Sequence, residues 1–242
     1  MKRAIILAAV LTMVVCTGTD ASAQRKAKKS RLVLDGSAVY VNTQVKATPA
    51  EEKMRVKGKP GIEISPTKTV FLYPQGQNVN QGIVEDGVAV TQGPLVSNGL
   101  KGPETADEWG GIQNITDSAR IDIFIPKNPN GQMVITCPGG GYWGLSTWLE
   151  GTYVAKWMND RGIACVVLKS RLPNGHHQVP LQDVQNAFRY CRHHAKDWGI
   201  KQIGVMGFSA GGHLASTAAT MYVDSTTRPD FAALIYPVIL MD

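Results

Sequence analysis

Short apolar runs alternate with longer runs of helical period from residue 119 onward, and this alternation constrains the fold more than any other feature. Residues 120–126 (RIDIFIP) alternate polar and apolar side chains, as a half-buried strand does. Residues 133–137 read as a buried strand, and 163–168 (IACVVL) are an unbroken apolar run, the pattern of a strand covered on both faces. Residues 203–206 and 231–240 read as two further strands. Between them, 145–161 reads as a helix closed by Gly162, and 209–221 as an Ala-rich helix. The clearest helix is 181–198. Leu181, Val184, Ala187, Phe188, Cys191, Ala195 and Trp198 make a 3.6-period stripe, and Asp183 favours the dipole from its first turn. Asn128-Pro129-Asn130-Gly131 is turn chemistry and predicts a hairpin. Strands alternating with helices predict an α/β fold, a three-layer sandwich around a mostly parallel sheet, with antiparallel pairing confined to the first strands.

Upstream, residues 68–74 (KTVFLYP) predict one more strand, and 75–118 a long irregular excursion. Residues 24–66 show no sustained period and read as a basic linker or loose arm, so the domain is expected over 67–242. Residues 1–23 read as a signal peptide. Lys2 and Arg3 precede twelve mostly apolar residues, Ala4 to Val15, and Ala21-Ser22-Ala23 is a small-x-small cleavage site. A bilayer span needs about 20 apolar residues. The expectation is cleavage after Ala23 and a secreted or periplasmic protein without a membrane span; lipoprotein processing at Cys16 ranks second, because Val15 precedes it.

The net charge of +6 belongs to the arm. Residues 24–60 hold ten Lys/Arg against three Asp/Glu, while 61–242 hold thirteen against fifteen. A slightly acidic body offers no footprint for nucleic-acid phosphates. Cleavage would leave Cys137, Cys165 and Cys191, which read as small buried residues rather than disulfide partners or reactive thiols.

The sharpest motif is Gly207-Phe208-Ser209-Ala210-Gly211, followed by Gly212, between a predicted strand and a predicted helix. A nucleophile on a sharp strand-to-helix turn stands free at the sheet edge, and glycines two residues either side let strand and helix fold back on each other. A second motif, Pro138-Gly139-Gly140-Gly141-Tyr142-Trp143, follows the strand that ends at Cys137. Glycines let backbone N–H groups turn inward to hold a developing oxyanion. The candidate roles are Ser209 as nucleophile, Gly207 and Gly211 as the elbow, and the N–H groups of Gly140, Gly141 and Ala210 as oxyanion donors. Tyr142, Trp143, His176 and His177 are candidate pocket residues. Trp143, Trp148 and Tyr142 either stack on sugar rings or lie buried under a lid. His213, one turn beyond Ser209, reads as a packing or hydrogen-bonding residue.

These stretches resemble the α/β-hydrolase superfamily, in particular its secreted carbohydrate-esterase branch of acetylxylan and feruloyl esterases. CPGGGYWGLS, the Glu150-Gly151 pair, KSRLPNGHHQVPLQDVQNA, IGVMGFSAGGHLAST and DFAALIYPVI carry the resemblance. It implies a serine esterase that removes small acyl groups from plant polysaccharide, with a carbohydrate ester as substrate and with no cofactor or metal. It also implies an acid and then a histidine after Ser209. Neither is found before Asp242, so the last strands and helices of the fold are expected to be lacking, with an open sheet edge available for self-association. The alternative is a non-catalytic remnant that binds glycan without turnover.

Overall fold

The computed structural model describes residues 64–73, 104–107, 110–115, 119–173 and 176–239, together with the backbone of 14–16, 84–85 and 88–89. The main sheet has seven strands in the order β1-β12-β11-β8-β10-β7-β2. These are β1 (Val14–Cys16), β2 (Lys68–Phe71), β7 (Arg120–Phe124), β8 (Gln132–Cys137), β10 (Ala164–Lys169), β11 (Gln202–Phe208) and β12 (Ala232–Ile235). The four central strands are mutually parallel, while β2, β7 and β1 run antiparallel to their neighbours. β5 (Thr105–Ala106), β6 (Gly111–Gln113) and β9 (Leu145–Ser146) form a small second sheet, and β3 (Val84–Glu85) pairs with β4 (Val88–Ala89).

Alternate residues of each central strand feed opposite layers, as a pleat requires. Met133, Ile135, Cys137, Val166, Leu168, Ile203 and Val205 pack against two helices, α2 (Gln178–His194) and α3 (Ala210–Thr220). Val134, Cys165 and Val167 pack on the other face against Ala155 and Met158 of α1 (Tyr153–Asn159). The sheet is thus covered on both sides, which confirms the α/β three-layer expectation. Cys137, Cys165 and Cys191 are buried free thiols. Burial pushes Cys137 up to about 12 and raises the other two as well, so none is poised as a nucleophile.

Several sequence expectations are corrected. The turn at 128–131 does not close a hairpin: β10 lies between β7 and β8, which are not neighbours. β7 is not half-buried, since all five of its residues are buried. Its polar face is neutralised inside, with Arg120 on Glu104 at 2.6 Å and Asp122 on Lys169 at 2.8 Å. The predicted helix 145–161 begins as β9, then takes a π-helical turn over Trp148–Thr152 before α1. The stretch 181–198 begins earlier, at Gln178, and its helix proper ends at His194. Asp183 is not in the first turn, which begins at Gln178; it is fully buried on Arg171 at 2.7 Å. The last strand stops at Ile235, where Tyr236 takes a φ of 36°. Its outer edge is not open, because β1 pairs with it in the register Val14–Leu234, Val15–Ala233 and Cys16–Ala232. Apart from that pairing and residues 64–66, where Ile64 packs against the Val134 and Ala155 side of the sheet, the expected leader and arm lie outside the described residues.

Candidate active site

Parallel strands end at one edge, so the loops after β8, β11 and β12 are brought together. Register makes this concrete. Gly207 of β11 sits opposite Cys137 on one side and Leu234 on the other, and Phe208 opposite Ile235. The next residue out on β11 is Ser209.

Ser209 has φ 50° and ψ −119°, a region that non-glycine residues avoid because of the clash between Cβ and backbone. Three things hold it there. Its N–H donates to Ile235 O at 3.1 Å, and its own carbonyl accepts from Val238 N at 3.1 Å and His213 N at 3.1 Å. The chain must also reverse within four residues, so β11 and α3 approach to backbone contact. A Cβ on Gly207 would collide with Gly211 O, and one on Gly211 with Cys137 O and Pro138 O. Only hydrogen fits at either place, which accounts for the spacing of the two glycines around Ser209. The Ser209 side chain remains partly exposed.

The glycine loop lies beside this turn. Gly139 is buried, and a Cβ there would stand 2.6 Å from Phe208 O and 3.1 Å from Ser209 Cβ. Gly140 and Gly141 are exposed, with φ 141° and 61°, and Gly140 O accepts from Trp143 N and Gly144 N at 3.0 and 3.2 Å. Among the described residues, no hydrogen bond takes the N–H of Gly140, Gly141 or Ala210. Ala210 N–H opens α3, so it carries the positive end of the helix dipole.

Tyr142, with φ 58°, bonds through its hydroxyl to His213 Nδ1 at 2.8 Å, ring edge against ring face. Burial raises the Tyr142 pKa; burial and then the nearby His177 lower that of His213. His213 is therefore the hydrogen-bonding residue expected, and it ties the glycine loop to α3. His177 sits at the start of α2 close to His213, whereas His176 is part of the turn leading into that helix. Trp143 is 54% exposed, which removes burial under a lid as its reading, and Trp148 packs on Tyr153. Among the described residues, no hydrogen bond joins the Ser209 hydroxyl to a histidine.

Two residues at this edge carry no role in the sequence reading. Glu150, matched only as half of the Glu150-Gly151 pair, accepts from Gly139 N at 2.6 Å and from the Tyr236 hydroxyl at 2.6 Å. Tyr236 is 59% exposed and falls in the DFAALIYPVI stretch without a role of its own, because nothing local marks the residue after a strand as a neighbour of a loop nearly a hundred positions away.

A parallel-centred sheet covered on both faces, with a strained serine between strand and helix, defines an α/β-hydrolase fold with the geometry of a nucleophile elbow. Residues 121–233 match the BD-FAE family model. An acetylxylan esterase of Xylanibacter ruminicola is 44% identical over 133 residues, 53% of this chain and 28% of that protein. Endo-1,4-beta-xylanase B of Butyrivibrio fibrisolvens is 33% identical over 122 residues, 44% of this chain and 19% of that protein. Among solved structures, an acetyl ester-xyloside bifunctional hydrolase from Caldicellulosiruptor lactoaceticus is 33% identical, covers 46% of each chain, and has a TM-score of 0.42. The chain thus spans less than a third of the length of the two curated relatives it matches. The likeness to the BD-FAE family model and to an acetylxylan esterase lies in the body of this chain, which includes β7, β8, β10, β11 and the Ser209 turn.

Proposed function

We propose that this chain bears the nucleophile and oxyanion site of a serine esterase acting on small acyl esters of plant polysaccharide. What supports the reading is the strained, partly exposed Ser209 with Gly139 of the glycine loop packed against it, together with N–H groups of Gly140, Gly141 and Ala210 that no hydrogen bond takes among the described residues. The Ser209 hydroxyl attacks the ester carbonyl, and its proton passes to a base. The oxyanion is held by the three N–H groups. Collapse expels the sugar alkoxide, protonated as it leaves, and water then releases the acid from the acyl-serine. Among the described residues no histidine is hydrogen-bonded to Ser209, and this reading assigns the base to no named residue. The 44% identity to an acetylxylan esterase supports the acyl and polysaccharide assignment. Residues 1–23 serve in this reading as an export leader cut after Ala23, giving a periplasmic or secreted protein. No helix among the described residues is long and apolar enough to cross a membrane.

The test is release of p-nitrophenol from p-nitrophenyl acetate, with Ser209→Ala as control. The expected result is release by the parent chain and background release by the variant; equal rates overturn the assignment. One observation favours a second reading, glycan binding without turnover: Trp143 and Tyr236 present large exposed rings at the mouth. Retention on insoluble xylan that Trp143→Ala abolishes, with no acetate release, would establish it instead.

A further inference from the structure

Glu150 is held more firmly than a partly exposed carboxylate beside a loop needs to be. Its backbone carbonyl accepts from the Thr136 hydroxyl of β8 at 2.9 Å. Its Oε2 takes the Gly139 N–H and its Oε1 the Tyr236 hydroxyl, each at 2.6 Å. Both are short, charge-assisted bonds, the stronger kind. The residue rides on the π-helical turn, an irregularity that concentrates at functional sites. The turn sits directly on the sheet because Gly151 has no side chain; a Cβ there would lie 2.6 Å from Val167 Cγ1. Gly139 is the matching concession, since a Cβ on it would meet Glu150 Oε2 at 3.0 Å and Ser209 Cβ at 3.1 Å. The carboxylate therefore lies between the glycine loop and the loop after β12, next to the serine. Two non-glycine residues with positive φ belong to this arrangement: Ser209, against Gly139, and Tyr236, on Oε1. Strained backbone persists only where its surroundings over-determine it.

We infer that Glu150 is a positioning residue. Its carboxylate binds the glycine loop to the loop after β12 and so sets the direction in which the Gly140 and Gly141 N–H groups face Ser209. The inference rests on the esterase reading for its purpose, but the tie itself can be measured separately. A fluorophosphonate probe reports on the site without needing deacylation: the Ser209 Oγ–P bond forms, the P–F bond breaks, fluoride leaves and the hydroxyl proton goes to a base. Labelling rates are followed against probe concentration by mass spectrometry of the Ser209 peptide.

Glu150→Ala is expected to lower the maximal labelling rate about tenfold or more while the half-saturating concentration stays within about twofold, as loss of oxyanion geometry requires. Glu150→Gln restores most of the rate, because its oxygen still accepts from Gly139 while its NH2 faces the Tyr236 oxygen. Tyr236→Phe, a change on an exposed ring, slows labelling about threefold. Wild-type rates in Glu150→Ala or Tyr236→Phe, or a Glu150→Gln as slow as Glu150→Ala, overturn the inference. If the parent chain is not labelled at all, the esterase reading fails. Hydrogen exchange then decides the tie: at least about tenfold faster exchange of the Gly139 amide in Glu150→Ala, with the rest of the sheet unchanged, supports it, and unchanged exchange overturns it.

Discussion

At Ser209 the fold stores strain, and the residues around it show how that strain is held. The Ser209 backbone holds a φ of 50° because three backbone hydrogen bonds and two glycines leave the turn no alternative. His213 belongs to the same clamp through Tyr142. Its pKa is lowered in the fold, so the folded state resists protonating a ring that the unfolded chain protonates near its ordinary 6.5. The unfolded state then binds more protons, and stability rises with pH in that window. The contribution is complete above about pH 6.5 and is lost as pH falls through the lower folded value. Melting temperatures measured from pH 8 to pH 5 should fall less steeply in His213→Asn than in the parent chain. Identical slopes would show that the ring titrates as freely as in solution.

Among the elements, α2 is joined to the sheet by ions as well as apolar contacts. Asp183, in its second turn, accepts from the Arg171 main-chain N–H at 2.7 Å, from the Arg171 guanidinium at 2.7 Å and from the Tyr73 hydroxyl at 2.7 Å. Asn186 adds a bond to the Tyr73 hydroxyl, and Gln182 one to the guanidinium. Arg171 and Asp183 have no solvent exposure. Removing one charge strands the other, which costs about 3–5 kcal/mol for such pairs. Asp183→Asn should lower the unfolding free energy by that order in urea titrations, and a loss below about 1 kcal/mol would mean that Arg171 finds another partner or water. Arg171 also leads into the loop before His176 and His177, so this network sets where that loop leaves the sheet.

For the whole molecule, the sheet edge is the consequential feature. β12 is flanked on its outer side by residues 14–16, which lie inside the apolar run read as an export leader. Cutting after Ala23 takes that partner away and leaves the outer side of Ala232–Leu234 unpaired, an invitation to intermolecular pairing. A chain beginning at Gln24 should therefore associate with rising concentration in light scattering, and more strongly than the full chain. A monomer at every concentration would contradict this.

Much of the architecture was legible because burial imposes a local signature. The apolar runs at β8, β10 and β11 and the stripe of α2 report which faces are covered, and the Gly-x-Ser-x-Gly spacing reports a backbone approach that admits no side chain. What could not be read were relations between distant residues. Nothing near Asn130 says that β10 will insert between β7 and β8. The alternation in β7 hides that its polar side meets Lys169 and Glu104, and Asp183 reads as a first-turn dipole partner until Arg171 arrives beside it. Glu150 and Tyr236, 86 positions apart, become partners only when parallel strands deliver their loops to one edge. The sequence alone determined the layers and the bend at Ser209, since both follow from solvation and sterics within a few residues. Tertiary structure alone decided strand neighbours and loop contacts, because hydrogen bonding across a sheet is indifferent to separation along the chain.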